Sequence, residues 1–436
     1  MRSWTAPAIP TLPPGTERVH LRRSEDGDVR PVGGPERASL YVCGITPYDA
    51  THLGHAFTYL TFDLLNRAWR DAGLEVSYAQ NVTDVDEPLL ERAEATGVDW
   101  RDLAHSQIDL FRSDMAALRI IPPEHYLGAV ETVPDVVRTV SRLLADGHAY
   151  RVPADASGEG AGDVYADLSA DRRFGETMLD PEARTQQART QQFGERGGDP
   201  ERPGKRSPLD PLLWRAARAG EPSWPGDELG WGRPGWHVEC ATIAAMTLGA
   251  PITVCGGGDD LRFPHHEMSA SHLRMLTAAP APVSAHLHVG LVGYQGHKMS
   301  KSRGNLVLVS RLRDQGADPM AIRLALLAHH YAQAWEFTEG ELIDAADRLA
   351  MWRAATSAAG AGEAAPLLAQ LRTALADDLD APRALRAVDA WARAALEGAP
   401  RSGAAEDAAL AAAGIDALLG VDLAAPTAQV GRSDAS

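Results

Sequence analysis

Residues 39–82 decide the reading of this chain: Ser39-Leu-Tyr-Val-Cys43-Gly44, then Ile45-Thr-Pro-Tyr-Asp-Ala-Thr-His52-Leu-Gly-His55, then the run down to Asn81-Val82. Ser39–Cys43 is short, apolar and β-prone, and it stops at Gly44 as a strand would. From Leu53 to Asp71 apolar residues recur at helical spacing, and Gly73 ends the run. Glu75–Val82 reads as a second strand. Strand, glycine turn, helix and strand in that order predict a βαβ unit and a parallel sheet.

Outward from this unit, helical patterns occupy 87–96, 101–117 and 134–146. Regular structure lapses between Asp155 and Pro208, where 155–162 is loop-like and 183–192 is Ala-Arg-Thr-Gln-Gln written twice. A five-residue duplication would shift the register of a strand or core helix, so an exposed loop is expected there. A second β/α half follows: a helix at Trp236–Leu248, a strand at Ile252–Cys255 leading into Gly256-Gly-Gly258, a helix near 265–277 and a strand near 286–292. Beyond 318 the chain is rich in Ala and Leu and helical in pattern. The organisation expected is an arm (1–35), a first half of the β/α domain (36–118), a connective insertion (119–233), a second half (234–295), a lysine-bearing loop region (296–337), a helical bundle (338–424) and a disordered tail (425–436).

Composition narrows the partners. A chain of 436 residues with 44% hydrophobic and 23% charged residues is neither a peptide, a disulfide mini-protein nor a disordered segment. Its net charge of −17 opposes a role that depends on neutralising nucleic-acid phosphates. Three cysteines, Cys43, Cys240 and Cys255, cannot build a disulfide framework, and the Pro-rich start has no apolar signal core. No apolar run approaches the length of about eighteen residues that a membrane helix needs. A cytoplasmic protein with reduced thiols is expected.

Two motifs carry chemistry. His52-Leu-Gly-His55 opens a helix just after a strand, placing two imidazoles on one helical face at an N-terminus that favours phosphate. Alone it reads as a pair of ordinary surface or capping histidines; the strand–turn–helix setting brings the site reading level with that one. Lys298-Met-Ser-Lys301-Ser302 lies among Gly290, Gly293, Gly296 and Gly304 and holds two of only three lysines in the chain, the third being Lys205. Two ammonium groups on a mobile glycine-rich loop can close on a triphosphate and neutralise departing pyrophosphate, which outweighs the reading as a solvated basic turn.

Together the two motifs resemble those of class I aminoacyl-tRNA synthetases, and within that class the cysteinyl enzymes. The blocks are Tyr41–Asp49, Asn81-Val-Thr-Asp-Val-Asp86, Pro211-Leu-Leu-Trp214, Pro234-Gly-Trp-His-Val-Glu-Cys240, Gly256-Gly-Gly-Asp-Asp-Leu-Arg-Phe-Pro-His-His-Glu267 and Lys298–Asn305, in family order over most of the chain. The resemblance implies an α/β fold: a Rossmann-type catalytic domain with an insertion between its halves, then an all-α bundle. It implies catalytic roles for His52, His55, Lys298 and Lys301, and adenylate or cysteine contacts by Cys43, Gly44, Ile45, Thr46, Thr58, Asn81, Val82, Thr83, Trp236, Gly258, Asp259, Asp260 and Val292. It also implies one Zn²⁺ per chain on Cys43, Cys240 and His265, and Mg²⁺ with ATP. Spacing alone would leave these cysteines as buried structural residues, since 197 residues separate Cys43 from Cys240 and 25 more lead to His265. Thiolates and imidazole suit zinc, an open position would take the substrate thiolate, and serine is thereby rejected. Cys255 reads as a small core residue.

Departures within the family point to one branch. The zinc block continues His265-His-Glu-Met-Ser269, lacking the further carboxylate that the tRNA enzymes use as a ligand. The signature is Cys43-Gly-Ile-Thr-Pro-Tyr48, and the insertion carries Glu195-Arg-Gly-Gly-Asp-Pro200. These features resemble the cysteine ligases of mycothiol biosynthesis, whose acceptor is the amine of glucosaminyl-inositol. After Gly340 there are fourteen Asp/Glu, eight Arg and no Lys, a poor surface for an anticodon, and Trp352 and Trp391 read as core. The expectation is therefore an AMP-forming, monomeric cysteine ligase acting on ATP, L-cysteine and glucosaminyl-inositol, without tRNA or membrane. A cysteinyl-tRNA synthetase with a shortened C-terminus is the alternative, and a catalytically retired binding module the reading from another class. Neither the amino-sugar pocket, the general base nor the purpose of Glu195–Pro200 is legible.

Overall fold

The structure, a computed structural model, describes the chain apart from residues 49–50, 154–161, 176–184, 300–302, 359–362, 401 and 425–436. Five strands form a wholly parallel sheet: β1 (Arg37–Val42), β2 (Glu75–Val82), β3 (His125–Gly128), β4 (Ile252–Gly258) and β5 (Val283–Val289), in spatial order β5-β4-β1-β2-β3. That is a doubly wound order with its switch point between β1 and β4, where ligands bind beyond the carboxyl ends of the strands.

Alternation along β1 explains the two-faced burial. Leu40 and Val42 point into the larger core, which includes Phe57, Leu60 and Leu64 of the helix Leu53–Asp71. Tyr41 and Cys43 point the other way, onto Cys240, Ala241 and Ala244 of the helix Trp236–Leu248. The residue-by-residue period of two therefore sends Cys43 toward the same layer as Cys240.

Three readings change. The strand His125–Gly128 lies within the stretch assigned to the insertion, yet it pairs with β2 and completes the parallel sheet. It is only four residues long and sits at an edge, too short for a distinctive pattern. The insertion's own sheet is antiparallel, from Ala149–Val152, Asp163–Ala166, Leu212–Ala216 and Gly232–Pro234. The described part of the tandem repeat is not a loop: Gln186–Glu195 is helical, capped by Thr185, whose side chain accepts from Ala188 N. Register is harmless there because Phe193 is the helix's one buried residue. Finally, Gly256–Gly258 extends β4 rather than ending it. Residues 155–161 and the tail 425–436 lie outside the described residues.

The arm is pinned to the core. Trp4 is buried against Phe111 and Tyr126, and its indole N–H donates to Ile120 O at 2.7 Å. At the other end, helices Glu339–Ala355, Ala364–Ala376, Ala381–Glu397 and Ala404–Leu419 form the C-terminal bundle. Trp352 and Trp391 are buried in it. Among the described residues no helix is long and apolar enough to cross a membrane.

Candidate active site

The site gathers at the carboxyl ends of β1 and β4. His52 is the N-cap of Leu53–Asp71, its Nδ1 accepting from Gly54 N at 3.0 Å. A Cβ on residue 54 would lie 2.8 Å from His52 Cε1, so the cap requires glycine there. Burial, then His55 and Lys298, hold the His52 imidazole well below its usual pKa. A neutral ring whose Nδ1 accepts carries its proton on Nε2, leaving that N–H free for a phosphate oxygen. His55 stacks on His52 with centroids 3.8 Å apart.

The second motif is laced to the first through the backbone. Leu53 N donates to Val307 O at 2.9 Å and Val309 N to Thr51 O at 3.0 Å. This ladder brings the segment after the lysine loop beside the helix N-terminus. Lys298 Nζ reaches Asp260 Oδ2 at 2.8 Å, one residue pair from the end of β4. Lys301 lies outside the described residues.

The remaining expected contacts fall around the same rim. Asn81 Oδ1 accepts from Gly44 N at 2.8 Å and from Tyr41 Oη at 3.2 Å, and its amide donates to Thr83 Oγ1 at 3.3 Å. Thr83 N donates to Ile45 O at 3.0 Å, clamping the ends of β1 and β2 together, with Val82 buried between. Thr46 continues that turn, its carbonyl accepting from Tyr48 N at 3.0 Å. Thr58 is one turn into the helix, bonded to Gly54 O. Gly258 closes β4, Asp259 pairs with Arg262, and Val292 is buried under Met299, whose N donates to Val292 O.

Cys43, Cys240 and His265, all buried, bring one ligand atom each within 4.8 Å of the others. Zinc bonds of about 2.3 Å to sulfur and about 2.0 Å to nitrogen put tetrahedral ligands under 4 Å apart, so small inward movements would close this group on an ion. Trp236 stacks on His265 with ring centroids 4.3 Å apart. Cys255 is buried in the layer behind and outside this triad. Ser269, four residues beyond His265, donates to His237 O at 3.2 Å.

Sequence reasoning missed the groups behind the triad. His266 Nε2 lies 3.1 Å from Cys43 Sγ, His266 Nδ1 is 2.6 Å from His288 Nε2, and His288 Nδ1 is 2.7 Å from Ser24 Oγ of the arm. His237 Nδ1 meets His265 Nδ1 at 2.9 Å. Burial first, then the crowding of neighbouring histidines and, for His266 and His288, Arg262, keeps His265, His266 and His288 well below the ordinary histidine range and brings His237 to about 3. Neutral imidazoles are the form that binds metals. The signal that could have found them is His286-Leu-His288, two histidines on one face of β5.

Comparison with known proteins agrees with this geometry. The family model of the class I (C) tRNA synthetase catalytic domain matches residues 30–347. A Beutenbergia cavernae protein named L-cysteine:1D-myo-inositol 2-amino-2-deoxy-alpha-D-glucopyranoside ligase is 61% identical over 97% of this chain and all of its own length. The Cellulomonas flavigena protein of the same name is 58% identical with the same coverage. Among solved structures, Mycobacterium tuberculosis methionyl-tRNA synthetase in complex with methionyl-adenylate superposes with a TM-score of 0.59 at 16% identity, covering 88% of this chain and 89% of its own, a likeness of fold.

Proposed function

This chain belongs to the class I cysteinyl-type synthetase family, and we propose that it is an ATP-dependent ligase joining L-cysteine to the amine of a glucosaminyl-inositol. The observation that carries the reading is one of juxtaposition. The Cys43–Cys240–His265 triad and the His52–His55–Lys298 set share the rim of one parallel sheet, so a group able to hold a thiol stands beside groups able to hold a triphosphate.

Cys43, Cys240 and His265 would hold Zn²⁺, whose soft, open coordination position would take the substrate as its thiolate. Thr46, Thr83 and Trp236 would line the cysteinyl pocket, and the rim from Gly258 to Asp260 with Val292 would receive the adenylate. The substrate carboxylate then attacks the α-phosphorus in line and pyrophosphate leaves. His52 Nε2–H, His55 and the positive end of the helix dipole stabilise the phosphates, with Mg²⁺ accompanying ATP. Lys298 leaves Asp260 to neutralise the departing pyrophosphate, with Lys301 as its partner on the loop. In the second step the neutral sugar amine attacks the cysteinyl carbonyl, an amide forms and AMP departs with the bonding pair of the broken acyl–phosphate link. Positioning and electrostatics supply most of the rate, as expected where no protein nucleophile is needed.

The acceptor is an amino sugar rather than tRNA in this reading. The bundle after Gly340 is acidic, and its tryptophans, the stacking groups an anticodon would use, are buried. We take the chain to work as a monomer in the cytoplasm, with every proposed site residue drawn from one copy. The deciding experiment offers enzyme charged with labelled cysteine either glucosaminyl-inositol or tRNA. Label should move to the amino sugar; transfer to tRNA alone overturns the proposal in favour of a shortened cysteinyl-tRNA synthetase.

A further inference from the structure

The motif Glu195-Arg-Gly-Gly-Asp-Pro200 and the third lysine, Lys205, have no part in the chemistry above, and the structure joins them. Lys205 is an unusual ammonium, its side chain only 2% exposed. It donates to Asp199 Oδ1 at 2.9 Å, Asp199 O at 3.2 Å and Pro208 O at 2.9 Å, which accounts for its three N–H groups. The rings of Phe193 and Tyr165 flank it at 5.0 and 5.2 Å. Tyr165, on the insertion's sheet, donates to the other Asp199 carboxylate oxygen. Asp199 is thus fixed from two sides.

From that anchor the chain folds back over the end of the helix Gln186–Glu195. Gly197 has φ +87°, and a Cβ on Gly198 would lie 2.5 Å from the Phe193 ring, so the loop can follow this path only with glycine. Phe193 packs with Phe263 and Met268, on either side of the His265–His266 pair. This course directs Arg196 at the catalytic turn, where one guanidinium nitrogen donates to both Asp260 O and Phe263 O. Those carbonyls bracket the turn between the carboxylate that holds Lys298 and the imidazole that belongs to the Cys/His triad.

We infer that Arg196 is a positioning residue that sets Asp260 and His265 in register with each other, anchored through Asp199 and Lys205 to the insertion's sheet. The inference rests on the ligase reading for its effect on rate. Both bonds come from one terminal guanidinium nitrogen, so Arg196→Lys keeps the charge and enough donors but sets its nitrogen on a shorter stem and loses part of the bracing. Arg196→Ala loses both. Glu195, exposed and, among the described residues, bonded to Gln191, is the control within the same motif.

The test uses the full-length zinc-loaded enzyme and three variants, Arg196→Ala, Arg196→Lys and Glu195→Gln. Cysteine-dependent ATP–pyrophosphate exchange is measured, and metal release to a chromophoric chelator is followed separately. Arg196→Ala should lower the exchange kcat by about tenfold and speed metal release by about tenfold together, Arg196→Lys should fall between, and Glu195→Gln should match the parent. A folded Arg196→Ala protein with a lower melting temperature but parental kcat and metal release overturns the inference, because a merely structural brace predicts that outcome. Should Arg196→Ala fail to fold, Arg196→Lys decides by the same two readouts. Absence of exchange in the parent enzyme refutes the ligase reading instead, and the metal-release comparison still judges Arg196.

Discussion

Two buried polar clusters in this molecule are built on opposite principles. One is the Cys/His group at the sheet's carboxyl edge; the other is Asp63, Arg67 and Arg323, where helix Leu53–Asp71 meets the C-terminal bundle. Asp63 accepts from Arg67 Nε at 2.8 Å, from Ile121 N at 2.8 Å and from Arg323. The surplus positive charge is absorbed by carbonyls at helix ends: Arg67 donates to Asp416 O, Ala417 O and Arg119 O, and Arg323 to Leu419 O and Leu118 O. Helix C-termini carry partial negative charge, so their carbonyls suit guanidinium groups. Burial pushes the Asp63 carboxyl up, but Arg67 and Arg323 more than offset it and hold it below the ordinary carboxylate range.

The Cys/His cluster is linked by contacts among its own imidazoles and thiols, but no opposite charge closes it among the described residues. Burial and crowding keep its imidazoles neutral, and a hydrogen bond with Cys240 followed by burial pushes the Cys43 thiol well up. Beside Cys240, Glu239 Oε2 is buried without a hydrogen-bond partner, as are both ring nitrogens of His272. A cluster satisfied by the fold is holding the fold together, whereas one that leaves donor atoms unsatisfied is arranged for something that arrives later.

The contrast can be broken from either side. Cys240→Ser should cut kcat/KM for cysteine in the exchange assay on the order of a thousandfold and lose bound metal, with little change in melting temperature. Retained stoichiometric metal and normal activity in that variant would remove the ligand assignment. Asp63→Ala should do the reverse, lowering unfolding free energy by about 3–5 kcal/mol in denaturant titrations while the surviving folded enzyme keeps its kcat. Lys298→Ala should slow adenylate formation by about a hundredfold without affecting metal content, separating phosphate handling from the thiol site.

The smallest effect concerns pH. Because folding lowers the Asp63 pKa, its contribution to stability is complete above the unfolded carboxylate value of about 3.9 and is lost as pH falls through the lower folded value. The acid limb of a stability–pH curve should therefore be shallower in Asp63→Asn than in the parent, and identical limbs would remove Asp63 from the account.

Local pattern and motif carried much of this from sequence alone. Helix Leu53–Asp71, strand Glu75–Val82 and helix Trp236–Leu248 were legible in extent because period, caps and glycines act within a few neighbours. The motif blocks named the family and nominated Cys43, Cys240 and His265 through resemblance, and the fold brings those three together. Spacing could not have done so, since parallel crossovers set which distant strand ends meet, and that choice depends on the whole sheet. The same reason hid His266, His288 and Ser24, which touch only because the arm, β5 and the β4 turn converge. It hid Arg196 and Lys205 as well. Their partners are mostly backbone carbonyls and ring faces, which any sequence supplies and only the tertiary structure directs.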